Sequence, residues 1–519
     1  MDRYQQSPVS SDFFENILAV LLLLSLYFTS FLTFKVDGVR LGVVDTGLFL
    51  VFCFISLKKK YDFNGFIVAS LVFVLLMTLS TLLKKLEGEA GYRSILLCAR
   101  LALIFSIIGA GIWASENEFF EKKIYIYSVF LGLITVCFLS IVLFYLNIAL
   151  SKDQQIMWFS NGSHHVRAGG TIGNTGAFGH QIYLLYALSI FIFFSAYKDK
   201  FFRALSCASI PLTFFDVVIS SSRGGFLGII VFSFIFFLGI GLKDRIRFIF
   251  LLFAGMLAAT LIILLSLDSK IIEYSGQRIG MATFYKKNYE ENKINPDGQD
   301  KNNNSAYSLY IDEEKLQKCQ KELDYKGRSK KPSYSASEND YDCDFHPRKD
   351  GSKKIDSTSI GDSQKSNMSQ PGLPDETERG GEQKEELKKN IDNLSSGRFA
   401  AWRLYYSVIK NNLLMGVGYK NSINYYGILI DNSFLSVLIE GGLVSFFAYF
   451  LLLVSMIFVS FVIYFKSDKK NGVFLIAFVL SNIVQSIFLD MYSQWISLPI
   501  FLFIFFVVGA AEWRKLKRT

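Results

Sequence analysis

The chain is poor in the residues that metal and redox chemistry require. It carries four histidines and six cysteines among 519 residues, and no Cys-x-x-Cys pair. Zinc-ligand spacing is therefore missing. His164 and His165 are adjacent, but no carboxylate or cysteine stands at ligand spacing from them, so they read as solvated loop residues. Neither a metal nor another cofactor is expected. Cys53, Cys98, Cys137 and Cys207 fall in apolar runs and read as small core residues. Cys319 and Cys343 lie in a polar segment; in an oxidising compartment they could pair, but spacing alone does not establish a disulfide. The ten-residue alternating segments of an outer-membrane barrel are missing too. So is a cleavable signal pattern, and the first apolar run, from about Asn16 to Phe34, is long enough to stay as a helix.

Long apolar runs are what the chain does have. Hydrophobic residues make up 51% of it, with 51 phenylalanines. The runs are about twenty residues long, the length of a helix crossing a bilayer. In lipid each backbone group must be satisfied inside the protein, so such runs are helices. The expected fold class is an all-α polytopic membrane protein with about twelve spans. They fall near 15–34, 39–57, 64–83, 94–113, 124–149, 176–196, 204–220, 224–242, 247–267, 434–465, 471–489 and 495–511. The tenth is too long for a straight span, and its first turns, up to Glu440, are expected to lie at the interface or re-enter, with a bend at Gly441-Gly442. The spans divide the chain into an N-terminal bundle (1–267), a large polar loop (268–431) and C-terminal spans (432–519).

The formal charge of +9 does not point to nucleic acid. Much of the basic excess stands in short clusters between spans: Lys58-Lys59-Lys60, Lys122-Lys123, Lys198/Lys200/Arg203, Lys243/Arg245/Arg247, Lys466/Lys469/Lys470 and Arg514-Lys515-Lys517-Arg518. All fall on one side. The positive-inside rule places that side and both termini in the cytoplasm, and the 268–431 loop outside. Within the loop, residues 286–394 are low-complexity and polar, too poor in apolar residues to offset chain entropy, and are expected to be disordered. Residues 395–412 (SSGRFAAWRLYYSVIKNN) read as an amphipathic helix. Phe399, Trp402, Tyr406, Ile409 and Leu413 share its apolar stripe, Ser395 or Ser396 caps it, and Gly416 and Gly418 end it.

The informative ionisable residues stand at outer helix ends. Arg223 sits in Ser220-Ser221-Ser222-Arg223-Gly224-Gly225, between the seventh and eighth spans. Small residues there let a ligand approach the backbone, and the N–H groups opening the eighth span favour an anion. The alternative is a tight hairpin with an interfacial arginine. Arg167 lies in the glycine-rich run 164–174 and is a second candidate anion contact. His180, early in the sixth span, is a buried polar side chain or a substrate contact. Arg398 and Arg403 flank the stripe of the 395–412 helix, at headgroup level or as its ordinary basic flanks. Asp431, followed by Asn432 and Ser433, either caps the tenth span or takes a proton from a sugar hydroxyl. Arg167, Arg223 and Arg398 in separate outer loops, with one carboxylate and glycine-lined helix ends, match a diphosphate, because arginine forks suit phosphate and stay charged.

Three segments occur in a telling order: the Ser-Arg-Gly-Gly turn, the Gly-Arg…Trp helix ending in Gly416-Val417-Gly418, and Asp431-Asn432-Ser433-Phe434-Leu435…Gly441-Gly442. Over residues 160–460, apart from the polar insert, the chain resembles the O-antigen ligase/polymerase superfamily of bacterial inner membranes. The resemblance implies a metal-independent glycosyltransferase with a fold similar to other lipid-linked-sugar (GT-C-like) transferases. Its donor would be an oligosaccharide on undecaprenyl diphosphate, used at the periplasmic face. By position, Arg167, Arg223 and Arg398 would hold the diphosphate. The residues themselves add Arg403, His180 and Asn432 as candidate substrate contacts and Asp431 as candidate base. The ligase branch usually begins the last segment with a histidine. Asp431 stands there in this chain, which favours the polymerase branch (Wzy-type), joining repeat units into O-antigen or capsule. Membrane lipid, a flippase and chain-length regulator proteins would be partners; nucleic acid would not. A ligase moving the glycan onto lipid A core or protein differs only in its acceptor. A transporter of the same lipid-linked units is the rival of another class, against which the clustering of ionisable groups at the outer face speaks.

Overall fold

The computed structural model describes residues 33–36, 39–42, 64–88, 92–116, 123–150, 156–158, 164–170, 174–195, 199–279, 402–403, 405–422, 430, 432–488 and 497–518. They are mostly helical. Two short antiparallel hairpins accompany the helices, β1 (Thr33–Val36) with β2 (Val39–Gly42) and β3 (Ile156–Trp158) with β4 (His164–Val166). The helices are α1 (Asn64–Leu86), α2 (Tyr92–Glu116), α3 (Lys123–Tyr145), α4 (Thr175–Phe194), α5 (Lys200–Ser220), α6 (Arg223–Gly239), α7 (Leu242–Ser266), α8 (Ser269–Ile279), α9 (Tyr406–Asn411), α10 (Ser433–Lys466), α11 (Lys469–Phe488) and α12 (Ser497–Arg518).

Eight of the described helices (α1, α3, α4, α5, α7, α10, α11 and α12) are long and apolar enough to cross a membrane, and α2 and α6 hold shorter apolar stretches. This is a multi-pass membrane protein. Ten of the expected spans correspond to these helices. The first expected span lies almost wholly outside the described residues. The second cannot begin at residue 39, because Val39–Gly42 is a strand paired with Thr33–Val36. Asp37-Gly38 between the two strands is the dipeptide that two-residue hairpins prefer, and it overrides the apolar signal that follows.

Local chemistry sets the helix starts. Asn174 caps α4, its side chain accepting from Gly176 N and Ala177 N at 2.9 and 3.0 Å. Asp199 caps α5 in the same way, and Asp468 accepts from Lys470 N at 2.8 Å ahead of α11. The packing order is α10 with α11 and α1, α12 with α2, α11 with α6, α4 with α5 and α6, and α5 with α7. Helix α4 is buried nearly all round, whereas α7 shows most of its apolar surface to the outside, as a lipid-facing helix does. Phenylalanines fill the interior: Phe232 with Phe236 and Phe474 with Phe478 stack at 5.6 and 5.2 Å, Phe232 meets Phe474 edge to face at 6.0 Å, and Phe191 lies 4.4 Å from Phe474. Cys98 and Cys137 are buried among such residues, while Cys207 is only partly covered. Cys53, Cys319 and Cys343 lie outside the described residues, as does the 286–394 insert.

Helix α10 is broken. Its 34 residues would span about 51 Å at 1.5 Å per residue, well beyond a hydrocarbon core of about 30 Å. Gly442 has φ 69° and ψ −173°, outside the helical region, and divides a short half from the span proper. The expected bend at Gly441-Gly442 is there. A break in lipid strands carbonyls on one side and N–H groups on the other, each costing several kcal/mol if left unpaired. Residues 413–418 satisfy both sets. Val417 N and Gly418 N donate to Ile439 O and Glu440 O at 2.9 and 2.8 Å, and Leu443 N and Val444 N donate to Leu413 O and Leu414 O at 2.8 and 3.4 Å.

The N-termini of α4 and α6, the C-termini of α5 and α11 and the broken end of α10 share one end of the bundle. The opposite end carries Lys200, Arg203, Lys243, Arg245, Arg247, Lys466, Lys469, Lys470, Arg514 and Lys515. There Asp244 pairs with Lys470 at 2.7 Å, and Asn471 and Lys515 both hydrogen-bond the Glu512 carboxylate.

Candidate functional site

The turn between α5 and α6 is built by three serines. Ser221 takes the left-handed conformation (φ 49°, ψ 40°) and ends α5. Ser222 begins α6, its hydroxyl accepting from Gly225 N at 3.3 Å. Ser275 of α8 donates to Val218 O at 2.7 Å and lies 3.0 Å from the Ser221 hydroxyl, holding the turn from outside. Arg167 reaches this turn from the segment after β4. It is only 3% exposed; Nε donates to Ser220 O at 3.0 Å, and one terminal nitrogen donates to Ser220 O and Ser221 O at 2.6 and 3.1 Å. A cation on the last carbonyls of a helix complements its dipole. Ala168 N adds a bond to Ile219 O at 3.1 Å. Arg167 therefore clamps the end of α5, while Arg223, two residues past Ser221, is exposed on the first turn of α6.

His180 is fully buried one turn into α4. Its Nε2 lies 3.0 Å from Asn482 Nδ2 of α11, and its ring stacks on Tyr183 at 5.6 Å. The helices approach closely here. A Cβ on Gly179 would stand 1.8 Å from Ser222 Oγ, one on Gly225 2.5 Å from Gly179 O, and one on Gly228 2.0 Å from Gln485 Nε2. His180 Nδ1 and both amide atoms of Gln485 are buried without a hydrogen-bond partner among the described residues. Such groups cost about 1–3 kcal/mol each.

The segment after the polar insert packs on the broken half of α10. Tyr405, Val408, Val417, Ile430 and Ile439 form a small core of their own. Tyr405 donates to Ser422 O at 3.2 Å, and Ser422 donates to the buried Glu440 carboxylate at 2.6 Å. From α1, Ser80 donates to Met415 O and to Glu440 O, and Thr81 Oγ1 accepts from Tyr419 N at 2.8 Å. The buried face corrects the expected stripe. Tyr406 and Leu413 are exposed, and Tyr405 and Val408 point inward instead. Trp402 and Ile409 of that stripe do pack against the small core, with Tyr405 and Val408 beside them on the same face. Asn432 caps α10, accepting from Leu435 N at 2.9 Å; Asp431, the expected cap, lies outside the described residues.

Arg167 and Arg223 thus come together at one turn, and His180 sits beneath it beside Gly179. Asn432 begins the half-helix at the same end of the bundle. Arg403 is exposed in the segment that precedes α9. Arg398 and Asp431 lie outside the described residues. His164 is exposed with Nε2 3.2 Å from Asn147 Nδ2, and His165 stacks on Phe144. Among the described residues no three His, Cys, Asp or Glu gather as metal ligands would. Sequence reasoning missed Asn482, Gln485, Glu440 and Asp216. Asp216 is fully buried on α5 beside the Cys137 thiol of α3. Polar residues inside apolar runs were the available signal for all four. Neither a protein-family model nor a curated protein matches this chain.

Proposed function

We propose that this protein is an inner-membrane glycosyltransferase of the O-antigen polymerase type. It joins undecaprenyl-diphosphate-linked oligosaccharide units at the periplasmic face. The observation that carries the reading is the meeting of Arg167 with the 220–223 turn: a buried arginine fixes the turn by its carbonyls, and Arg223 stands exposed on the N-terminal turn that follows. An anion there would meet a guanidinium and the positive end of α6. The basic clusters at the opposite end of the bundle support a cytoplasmic assignment for that end. Twelve spans and a GT-C-like arrangement belong to the same proposal.

In this reaction an acceptor hydroxyl oxygen attacks C1 of the donor's reducing-end sugar. The bond from C1 to the phosphate oxygen breaks, and its electron pair leaves on the diphosphate. Arginine neutralises that growing charge. The hydroxyl proton passes to a base, for which Asp431 is the candidate, and direct displacement inverts C1. Arg403, His180 and Asn432 would contact the substrate, and Arg398 would complete the diphosphate grip.

A deletion strain tests the reaction. Single repeat units on a normal surface anchor support the polymerase. Long polymer retained on undecaprenyl diphosphate identifies a ligase instead, and unchanged surface glycan and intermediates reject both. For the site, Arg223→Ala should abolish polymer and Arg223→Lys should reduce it, since lysine keeps charge but loses the fork. Full polymer from both variants would reject the assignment.

A further inference from the structure

The junction of α4, α6 and α11 lies directly beneath the 220–223 turn, yet nothing in the diphosphate reading uses it. Its polar groups form a set with a definite demand. His180, Asn482 and Gln485 are 0%, 2% and 1% exposed. An amide nitrogen only donates, so the 3.0 Å contact from Asn482 Nδ2 makes His180 Nε2 the acceptor. The imidazole proton then sits on Nδ1, a donor that meets no acceptor. Gln485 offers one more unmet donor, Nε2, and one unmet acceptor, Oε1. Gly228 faces that amide with no side chain of its own, since a Cβ there would be 2.0 Å from Nε2.

We infer that this junction is a socket for a hydroxyl group. An O–H both accepts and donates at one atom. It can take the proton of His180 Nδ1 or Gln485 Nε2 and give its own to Gln485 Oε1. No charged side chain belongs to the set, so an ion has no counter-charge here, and an apolar group would leave every member unsatisfied. The hydroxyl can come from internal water or from a sugar of the lipid-linked substrate; the second source rests on the glycosyltransferase reading and the first does not. The junction adjoins the candidate site: Gly179, the residue before His180, packs on Ser222 and Gly225 next to Arg223.

The test is X-ray radiolytic labelling of the full-length protein in nanodiscs prepared in ¹⁸O-water, read by mass spectrometry. Water held against a side chain gives rapid labelling even where bulk solvent is excluded, whereas a sugar hydroxyl in its place carries no ¹⁸O to give. The internal reference is Tyr186, which is also fully buried but hydrogen-bonded to Ser233 at 2.6 Å. The expected result is faster ¹⁸O labelling of His180 than of Tyr186, lost in Gln485→Met. The lipid-linked oligosaccharide pool extracted from the producing cells separates the sources. If it suppresses the labelling, a sugar hydroxyl takes the socket; if labelling persists, water does. Labelling of His180 no faster than Tyr186 in the unmodified protein overturns the socket, whatever the variant does. Labelling unchanged in a folded Gln485→Met variant overturns it as well. Loss of glycosyl transfer as an activity would leave the labelling comparison intact, so the two proposals fail separately.

Discussion

Replacing Gly442 by alanine tests the account of the broken helix. The native φ of 69° with ψ −173° belongs to a region that is nearly glycine-only, and forcing another residue into it costs about 1–3 kcal/mol. The added methyl would also stand 2.2 Å from Leu414 O, so the 413–418 segment must retreat. Retreat stretches the bonds from Leu443 N and Val444 N, each worth about 0.5–1.5 kcal/mol net. Together the loss is about 3 kcal/mol, roughly a hundredfold in the folded-to-unfolded ratio. SDS titration of the purified protein in mixed micelles measures it as a lower unfolding midpoint. Gly224→Ala is the control, because a Cβ at Gly224 meets nothing within 4 Å, and it should move the midpoint little. If the two alanine variants unfold together, neither strain nor docking of residues 413–418 governs α10.

Arg167→Ala should cost about 3 kcal/mol or more, since two buried carbonyls lose a charged donor, and Arg167→Lys should recover only part of it; thermal unfolding of purified protein reads both. Gly228→Ala should lower the unfolding midpoint through its collision with Gln485, and Gln485→Ala in the same chain should restore most of the loss, which a double-mutant cycle measures. Asp431→Asn should stop glycosyl transfer on intact membranes if Asp431 is the base. Undiminished turnover would leave it no catalytic part.

Much of the fold was legible because lipid imposes one strong constraint. Span ends fell within a few residues wherever polar caps such as Asn174, Asp199 and Asp468 frame an apolar run. The bend in α10 was visible as paired glycines inside a run too long to cross straight. Val39–Gly42 was misread because hydropathy does not register a turn, and Asp37-Gly38 carried that information instead. Tyr406 was placed inward because it shares helical spacing with Trp402 and Ile409, but Tyr405, on the other flank of the same face, is the one buried. In a soluble helix, periodicity separates inside from outside. In α4 and α11 both sides are apolar, so nothing in the spacing of His180, Asn482 and Gln485 says that they converge. The meeting of Arg167 with the turn at 220–223 spans more than fifty residues and needed the structure.

The break in α10 also bears on how the protein can be made. A membrane helix ordinarily satisfies its own backbone, so it can enter the bilayer before its neighbours arrive. This one cannot be completed alone. The groups that close it belong to residues 413–418, which leave the ribosome before Ile439 and Leu443 do. Ser80 and Thr81, made earlier still, already stand ready to hold that segment. Each partner is therefore present when the next appears, and lipid never has to meet bare carbonyls. A circular permutation that moved residues 413–418 behind α10 would keep every contact of the finished protein yet reverse that order, leaving the half-helix stranded during synthesis.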